Sequence, residues 1–162
     1  MSAFNCHCFI ASNDSQLILT GGADRTAKVW DVASGEILYS LEGHGHAVGG
    51  LAFTPDDKVI ITGSADKKIR LWNSQTGKHL HTINGHKSGI MSIDISKDGK
   101  YIASSSINGK MKVWEVKRGK EICNLEGHST RSRDVTFHPT NKNMVASASN
   151  DKTIRLWKFE VE

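Results

Sequence analysis

The chain has 162 residues, of which 38% are hydrophobic and 23% charged, and its formal net charge is +4. This length and composition are those of one ordinary soluble domain with a core, and no apolar run approaches the ~20 residues that cross a bilayer. Charges of both signs are mixed along the chain, which argues against a dedicated nucleic-acid binder and leaves a slight preference for acidic partners.

The N-terminal stretch MSAFNCHCFIASNDS has no basic segment followed by a long apolar one, so we predict no signal peptide. The three cysteines are too few for a disulfide framework, which favours an intracellular location. Alternation along a strand would point Cys6 and Cys8 to one side and His7 to the other, so only two of them can converge on a metal ion. We therefore expect these cysteines to pack in the core, and we predict no metal site and no cofactor.

One sequence unit recurs along the chain with a period of about 42 residues. Gly-His pairs lie at 43–44, 85–86 and 127–128, and the four tryptophans of the chain follow the same spacing, at Trp30, Trp72, Trp114 and Trp157. Such spacing indicates an array of one structural unit.

Each unit contains four runs of strand length. In the second unit these are GLAF, VIITGS, KIRLW and HLHTI, and the turn-forming stretches TPDDK, SADKK and NSQTGK separate them. No helical period is present, so each unit is predicted to be a four-stranded antiparallel meander. In KIRLW, Ile69 and Leu71 face one way and Trp72 the other, which places the sheet between two layers. Stacking such sheets around an axis gives a β-propeller, an all-β fold.

The period, the Gly-His pair, the turn Asp and the VWD at 29–31 resemble the WD-repeat β-propeller family across the whole chain. We expect a single domain with repeats at about 3–42, 43–84, 85–126 and 127–162. Only KFEVE follows Trp157, so the last blade is expected to lack its outer strand. Family rings usually have about seven blades, so four repeats predict a partial propeller. Three alternatives stay open: a longer propeller protein, a ring or dimer of two chains, or a small closed ring.

The resemblance implies a hydrogen-bonded set in each blade, made of a His, a Ser or Thr, a turn Asp and a Trp. Carried over by position, the sets are Thr20, Asp24 and Trp30; His44, Thr62, Asp66 and Trp72; His86, Ser104, Asn108 and Trp114; and His128, Ser147, Asp151 and Trp157. A buried imidazole or indole without a partner costs ~1–3 kcal/mol, and a carboxylate gives the His a stronger, charge-assisted bond. Since Asn108 lacks that charge, we expect the third repeat to be looser. A set that recurs in every blade is expected to be structural and not catalytic.

The stretch HSTRSRD at 128–134 differs from the other repeats, because Arg131 and Arg133 stand where those carry small or apolar residues. The resemblance implies that the loops joining blades and those between second and third strands form one rim, where partner peptides dock. We predict that Arg131 and Arg133 contact a partner there; a solvated turn or an arginine facing Asp134 is the alternative. Further candidates on the rim are His46, Lys87, Ser88 and Asn150.

The function predicted is a non-catalytic protein-interaction scaffold or adaptor that binds peptide segments, possibly acidic ones, with rigid blades holding variable loops. The alternative is structural self-assembly, in which a second chain or further repeats complete a ring. An enzyme or a nucleic-acid binder is not excluded by fold alone, but aromatic residues are only 7% of the chain and every Trp is assigned to a blade, which argues against base stacking.

Overall fold

The computed structural model describes residues 6–160, and side chains within residues 8–160. These residues form fifteen strands and no helix. The strands are β1 (Cys6–Ala11), β2 (Leu17–Gly22), β3 (Ala27–Asp31), β4 (Ile37–Leu41), β5 (Val48–Phe53), β6 (Val59–Ser64), β7 (Lys68–Asn73), β8 (His79–Asn84), β9 (Ile90–Ile95), β10 (Tyr101–Ser106), β11 (Met111–Glu115), β12 (Glu121–Leu125), β13 (Ser132–Phe137), β14 (Met144–Ser149) and β15 (Ile154–Lys158).

The strands form four separate antiparallel meanders, which confirms the predicted all-β fold of propeller blades. Strands β1–β4, β5–β8 and β9–β12 make three four-stranded sheets, and β13–β15 make a three-stranded one. Within the described residues the fourth blade thus has no outer strand, as predicted. The inner strand of each blade carries a register irregularity, and in β13 the residue left out of the pairing is Arg133. Such a bulge turns a side chain away from the regular strand direction.

Apolar residues on both faces of each strand hold neighbouring blades together. In β7, Ile69 and Leu71 pack in the core shared with the third blade, while Trp72 packs in the core shared with the first. A third core, which contains Val145, lies between the third and fourth blades. Burying one such aliphatic side chain stabilises the fold by about 1.5–3 kcal/mol. These three cores therefore join four blades in sequence.

The blades do not close into a ring, so each end of the stack presents an apolar face. On the first blade, Phe9 is 78% exposed, although its neighbours Cys8 and Ile10 pack against the first core. On the fourth blade, Ile154 is 78% and Leu156 is 72% exposed. Cys8 thus packs as predicted for the N-terminal cysteines, whereas the side chains of Cys6 and His7 lie outside the described residues.

Polar contacts also cross from blade to blade, and they were not predicted. The carboxylate of Asp57 accepts two hydrogen bonds from Asn13, one from the backbone nitrogen at 2.9 Å and one from the side-chain Nδ2 at 2.7 Å. The carboxylate of Asp94 accepts one from the backbone nitrogen of Phe137 at 2.6 Å. Both contacts join inner strands or their turns, so they help to set the angle between blades. Across the described part of the chain, no helix is long and apolar enough to cross a membrane.

Candidate functional site

In the third blade the glycine of the Gly-His pair lets the tryptophan lie against the turn. Gly85 has a φ of +152°, and a Cβ built on it would lie 2.7 Å from Cη2 of Trp114. Gly43 has a φ of +132°, but its Cβ would meet nothing nearer than 3.8 Å. Only glycine fits both the backbone angle and the close contact at position 85. The histidine that follows Gly85, His86, lies beside the same tryptophan, with the two ring centroids 5.6 Å apart.

In the second blade the four residues of the predicted set form one connected chain of hydrogen bonds. His44 Nδ1 lies 2.9 Å from Asp66 Oδ2, and His44 Nε2 lies 2.7 Å from the Thr62 hydroxyl. The same hydroxyl accepts the indole N–H of Trp72 at 2.9 Å. An ionised carboxylate can only accept, so Nδ1 donates to Asp66 and Nε2 accepts from Thr62.

Burial and hydrogen bonding fix the protonation states in this set. Burial lowers the pKa of His44, although Asp66 acts in the opposite direction. Burial alone would raise the pKa of Asp66, but hydrogen bonds from the Gly45 amide and from His44 bring it below its usual value. A neutral imidazole beside an ionised carboxylate is the outcome.

The fourth blade repeats this geometry. His128 Nδ1 lies 2.7 Å from Asp151 Oδ2, and its Nε2 lies 2.7 Å from the Ser147 hydroxyl. Trp157 Nε1 donates to Ser147 at 2.8 Å. The hydroxyl of Thr153 is the main cause of a lowered pKa at Asp151, and the hydrogen bond from His128 adds to it. Blades two and four therefore carry the same polar brace.

The first blade contains only part of the set. Trp30 Nε1 donates to the Thr20 hydroxyl at 2.9 Å. Asp24 instead accepts from the Thr26 hydroxyl at 2.9 Å and pairs with Lys28 at 2.5 Å. The carboxylate therefore closes its own turn.

In the third blade the imidazole and the turn residue are not joined. His86 Nε2 lies 2.6 Å from the Ser104 hydroxyl, which accepts the Trp114 indole N–H at 2.7 Å. Asn108 Oδ1 accepts from Ser106 within its own turn at 2.5 Å, and no hydrogen bond within the described chain links it to His86. Burial, with a smaller contribution from Lys112, lowers the pKa of His86 to about 4.

These sets are poorly placed for reaction with a substrate. The Thr62 and Ser104 hydroxyls belong to residues that are fully buried, and His44 is 6% exposed. A nucleophile must reach a reacting atom, and each hydroxyl here already accepts an indole N–H. Among the described side chains, no group of three or more His, Cys, Asp or Glu residues is placed to hold a metal ion.

The His–Asp hydrogen bonds tie the loops that join blades to the turns between second and third strands. We call this set of loops the upper rim; it comprises residues 23–26, 42–47, 65–67, 85–89, 107–110, 126–131 and 150–153. All the predicted partner-binding residues lie on the upper rim except Arg133, which is two residues beyond it in the bulge of β13.

Three of those residues lie together on the fourth blade. Arg133 is exposed, and its Nε donates to Asn150 Oδ1 at 2.9 Å. The backbone nitrogen of Asn150 donates to the carbonyl of Arg131, also at 2.9 Å. Asp134 accepts from Ser92 of the third blade at 2.6 Å, and neither arginine forms an ion pair with it in the described part of the chain.

The other three candidates lie on the second and third blades, apart from the arginines. His46 is exposed, and its Nδ1 accepts from the backbone nitrogen of Ala47 at 2.9 Å. Lys87 is exposed and Ser88 half-buried. No hydrogen bond or ion pair between described residues joins any of them to Arg131 or to the fourth blade.

Sequence reasoning did not single out three further cations on the upper rim. Arg25, Lys67 and Lys152 have φ values of +71°, +74° and +67°, and Gly109 takes the same turn position in the third blade. A left-handed backbone is unusual for residues other than glycine. The sequence does contain a signal for these cations, because in three of the four repeats the residue directly after the turn Asp is Arg or Lys.

The family model described as WD domain, G-beta repeat matches residues 2–31, 35–73, 77–115 and 119–158. The chain belongs to the WD40 repeat family. From the second unit on, each matched unit starts near the outer strand of one blade and ends on the third strand of the next. Successive WD40 units are therefore linked across neighbouring blades.

Curated relatives match over shorter stretches. Over 56 residues the chain is 36% identical to coatomer subunit beta'-1 of Arabidopsis thaliana, which covers 35% of this chain and 6% of that protein. It is 60% identical over 35 residues to dynein assembly factor with WD repeat domains 1 of Mus musculus, covering 22% and 8%. It is 46% identical over 46 residues to the U5 small nuclear ribonucleoprotein 40 kDa protein of Pongo abelii, covering 28% and 13%. The chain thus matches only a small part of the length of each of these relatives.

Proposed function

We propose that this WD40 chain is a non-catalytic scaffold that binds protein partners on the upper rim. The observation that carries the proposal is the group formed by Arg131, Arg133 and Asn150, in which the bulge of β13 presents an exposed guanidinium. Two relatives carry the names of multi-protein assemblies, a coatomer subunit and a U5 ribonucleoprotein component, which supports an assembly role. The intracellular location expected from the cysteines stays a prediction.

The cations of the upper rim that form no ion pair favour an acidic segment as the partner. Its cations without an ion pair among the described residues are Arg25, Lys67, Lys87, Arg131 and Lys152. Most of its carboxylates are already engaged, since Asp66 and Asp151 bind histidines and Glu126 pairs with Lys110 at 2.6 Å. An acidic peptide would therefore meet cations that form no ion pair with any described residue.

A pull-down with Arg131→Ala/Arg133→Ala tests this proposal. The matched control is Lys97→Ala/Lys100→Ala, which removes two exposed cations from the turn between β9 and β10 at the opposite end of the strands. We expect the arginine variant to lose partner affinity by about tenfold or more and the control to keep it. Equal recovery of every partner by both variants would contradict the proposal.

A second candidate function is self-assembly through the apolar end faces. Phe9 at one end and Ile154 and Leu156 at the other would be covered if a second copy, or further repeats of a longer protein, continued the stack. Residues 1–162 would then be one partial propeller domain. Light scattering tests the two-chain version: Leu156→Lys should lower the association constant, whereas Leu80→Lys, on the outer strand β8, should not. A strict monomer at high concentration would rule it out.

A further inference from the structure

A cavity of about 220 Å³ lies beside the incomplete polar set of the third blade. Its walls include His86 and Asn108, three lysines, and one acidic residue, Glu126. The lysines are Lys87, Lys110 and Lys112. His86 is only 7% exposed, yet its ring borders this space. The cavity belongs to the third blade alone and has a different lining from the arginine group on the fourth.

Two hydrogen-bond donors meet at one carboxylate oxygen in the second and fourth blades. In the second, Asp66 Oδ2 accepts from His44 Nδ1 and from the Gly45 amide, both at 2.9 Å. In the fourth, Asp151 Oδ2 accepts from His128 Nδ1 at 2.7 Å and from the Ser129 amide at 3.2 Å. The pair of donors is therefore a repeated feature of this turn, and in both blades its acceptor is a carboxylate oxygen.

The corresponding donors in the third blade are His86 Nδ1 and the backbone nitrogen of Lys87. Neither has a hydrogen-bond acceptor among the described residues. The Ser104 hydroxyl lies 2.6 Å from Nε2 of His86 but 3.4 Å from the carbonyl oxygen of Lys112, its other possible acceptor. We therefore assign its proton to the bond with Nε2, which places the proton of the neutral imidazole on Nδ1. This donor belongs to a residue that is 7% exposed and borders the cavity, so an acceptor that enters the cavity can reach it.

Asn108 cannot supply that acceptor in the conformation it adopts. Its Oδ1 accepts from Ser106 and from the backbone nitrogen of Lys110, just as Oδ1 of Asp66 accepts from the backbone nitrogen of Lys68. The side-chain nitrogen Nδ2 of Asn108 therefore lies where the corresponding atom of Asp66 is the carboxylate oxygen Oδ2. It adds a third N–H donor group to the same space.

The charges around the cavity are predominantly positive. Lys110 pairs with Glu126 at 2.6 Å, and Lys112 pairs with Glu121 at 2.5 Å. Lys87 has no ion pair in the described part of the chain. Glutamates thus partly neutralise two of the three lysines, and the positive charge that remains for an anion comes mainly from Lys87.

We propose that this cavity binds one carboxylate group, which accepts hydrogen bonds from His86 Nδ1 and the Lys87 amide and is held by the neighbouring lysines. The carboxylate takes the part that a turn aspartate takes within the second and fourth blades. Its two possible sources are a small free carboxylate and an Asp or Glu side chain of a bound partner. The second source rests on the proposed function, whereas the site itself does not.

Nuclear magnetic resonance of the histidine rings tests the site directly. Sodium acetate, added against sodium chloride at equal ionic strength, should shift the ring signals of His86 and raise its pKa from about 4. His44 and His128 serve as controls within the same molecule, since their Nδ1 atoms already contact carboxylates. No response of His86 to about 0.1 M acetate beyond that to chloride would overturn the proposal, because a charge-assisted site should bind detectably at this concentration.

Two variants show whether a response comes from this cavity. Asn108→Asp places a carboxylate of the chain itself beside His86, so acetate affinity should fall by about tenfold or more. Lys110→Gln changes an exposed side chain outside the core; it removes one positive charge, frees Glu126, and should also weaken acetate binding. Acetate shifts that persist unchanged in both variants would refute the site.

A tetraglutamate peptide with blocked ends distinguishes the two sources. Binding more than about tenfold tighter than acetate, and lost in Asn108→Asp, identifies a carboxylate carried by a partner; equal affinities identify a small anion. The outcome is separable from that of the proposed function. If His86 ignores acetate while partner recovery still needs Arg131 and Arg133, the scaffold proposal stands and the carboxylate site is wrong. The reverse result leaves the site and removes the scaffold proposal.

Discussion

We expect the free energy of unfolding to fall as the pH is lowered from about 7 to about 4.5, with His86 responsible for much of the change. Its pKa is about 4 in the folded chain, against an ordinary value of 6.5 when the chain unfolds. Between these values the unfolded chain binds the proton and the folded chain does not. The contribution is therefore fully present above pH 6.5 and is lost as the pH falls toward the folded pKa.

The separation of the two pKa values sets the size of this effect. It corresponds to a loss on the order of 3 kcal/mol when complete, and to about 2–3 kcal/mol by about pH 4.5. His44 acts in the same direction, since its folded-state pKa is also lowered. The carboxylate of Asp66, with a pKa below its ordinary 3.8, titrates below this range. His86 and His44 therefore account for most of the predicted slope above pH 4.5, and Glu126, whose pKa is lowered from 4.5 mainly by its hydrogen bond with Lys110, adds to it at the low end.

Asn108→Asp tests this reasoning through urea unfolding followed by tryptophan fluorescence. A carboxylate beside His86 favours the protonated ring, so the variant should be more stable near neutral pH by about 1 kcal/mol and lose less than half as much on acidification. Asn141→Asp, on an exposed loop of the fourth blade, controls for the added charge. The buffer must contain no carboxylate. If Asn108→Asp and the original chain have the same pH slope, His86 is not the group responsible.

The reverse substitution in the second blade, Asp66→Asn, removes the charged partner of His44 and should make that blade resemble the third. The free energy of unfolding in the same urea assay should fall by about 1–3 kcal/mol. It should also fall more steeply with decreasing pH than in the original chain. Gly85→Ala should destabilise by about 1–3 kcal/mol more than Gly43→Ala, because the new methyl group meets Trp114 at 2.7 Å in the first case and nothing within 3.8 Å in the second; equal losses would contradict this. Trp114→Phe should recover part of the cost of Gly85→Ala in a double-mutant cycle, and strict additivity would count against the contact.

The repeat made the blades predictable, because side-chain alternation within a strand is local. The opposite directions of Leu71 and Trp72 follow from period-two geometry alone, and the structure has both. These properties depend on spacing within one repeat and do not require knowledge of how two blades are aligned.

Contacts between blades could not be predicted in the same way. The hydrogen bonds from Asn13 to Asp57 and from Phe137 to Asp94 depend on the angle and offset between neighbouring sheets. In the sequence, Asp57 stands in the turn-forming stretch TPDDK and carries no sign of a contact with the first blade. The grouping of Arg133 with Asn150 depends on the bulge in β13, which changes the direction of one side chain and leaves no clear mark in the strand pattern.

Because the blades are similar, residues that recur in the hydrogen-bonded sets can be distinguished from residues that occur in one blade only. Each blade contacts only its neighbours, so losing one polar brace weakens the array locally and need not unfold it. The fold can therefore tolerate Asn108 where blades two and four have an aspartate. The residue at the bulge of the inner strand also differs from blade to blade. It is Gly49 in the second blade, Met91 in the third and Arg133 in the fourth. Since the repeat shows what the fold requires at each position, departures such as Asn108 and Arg133 are where selection for binding is to be sought first.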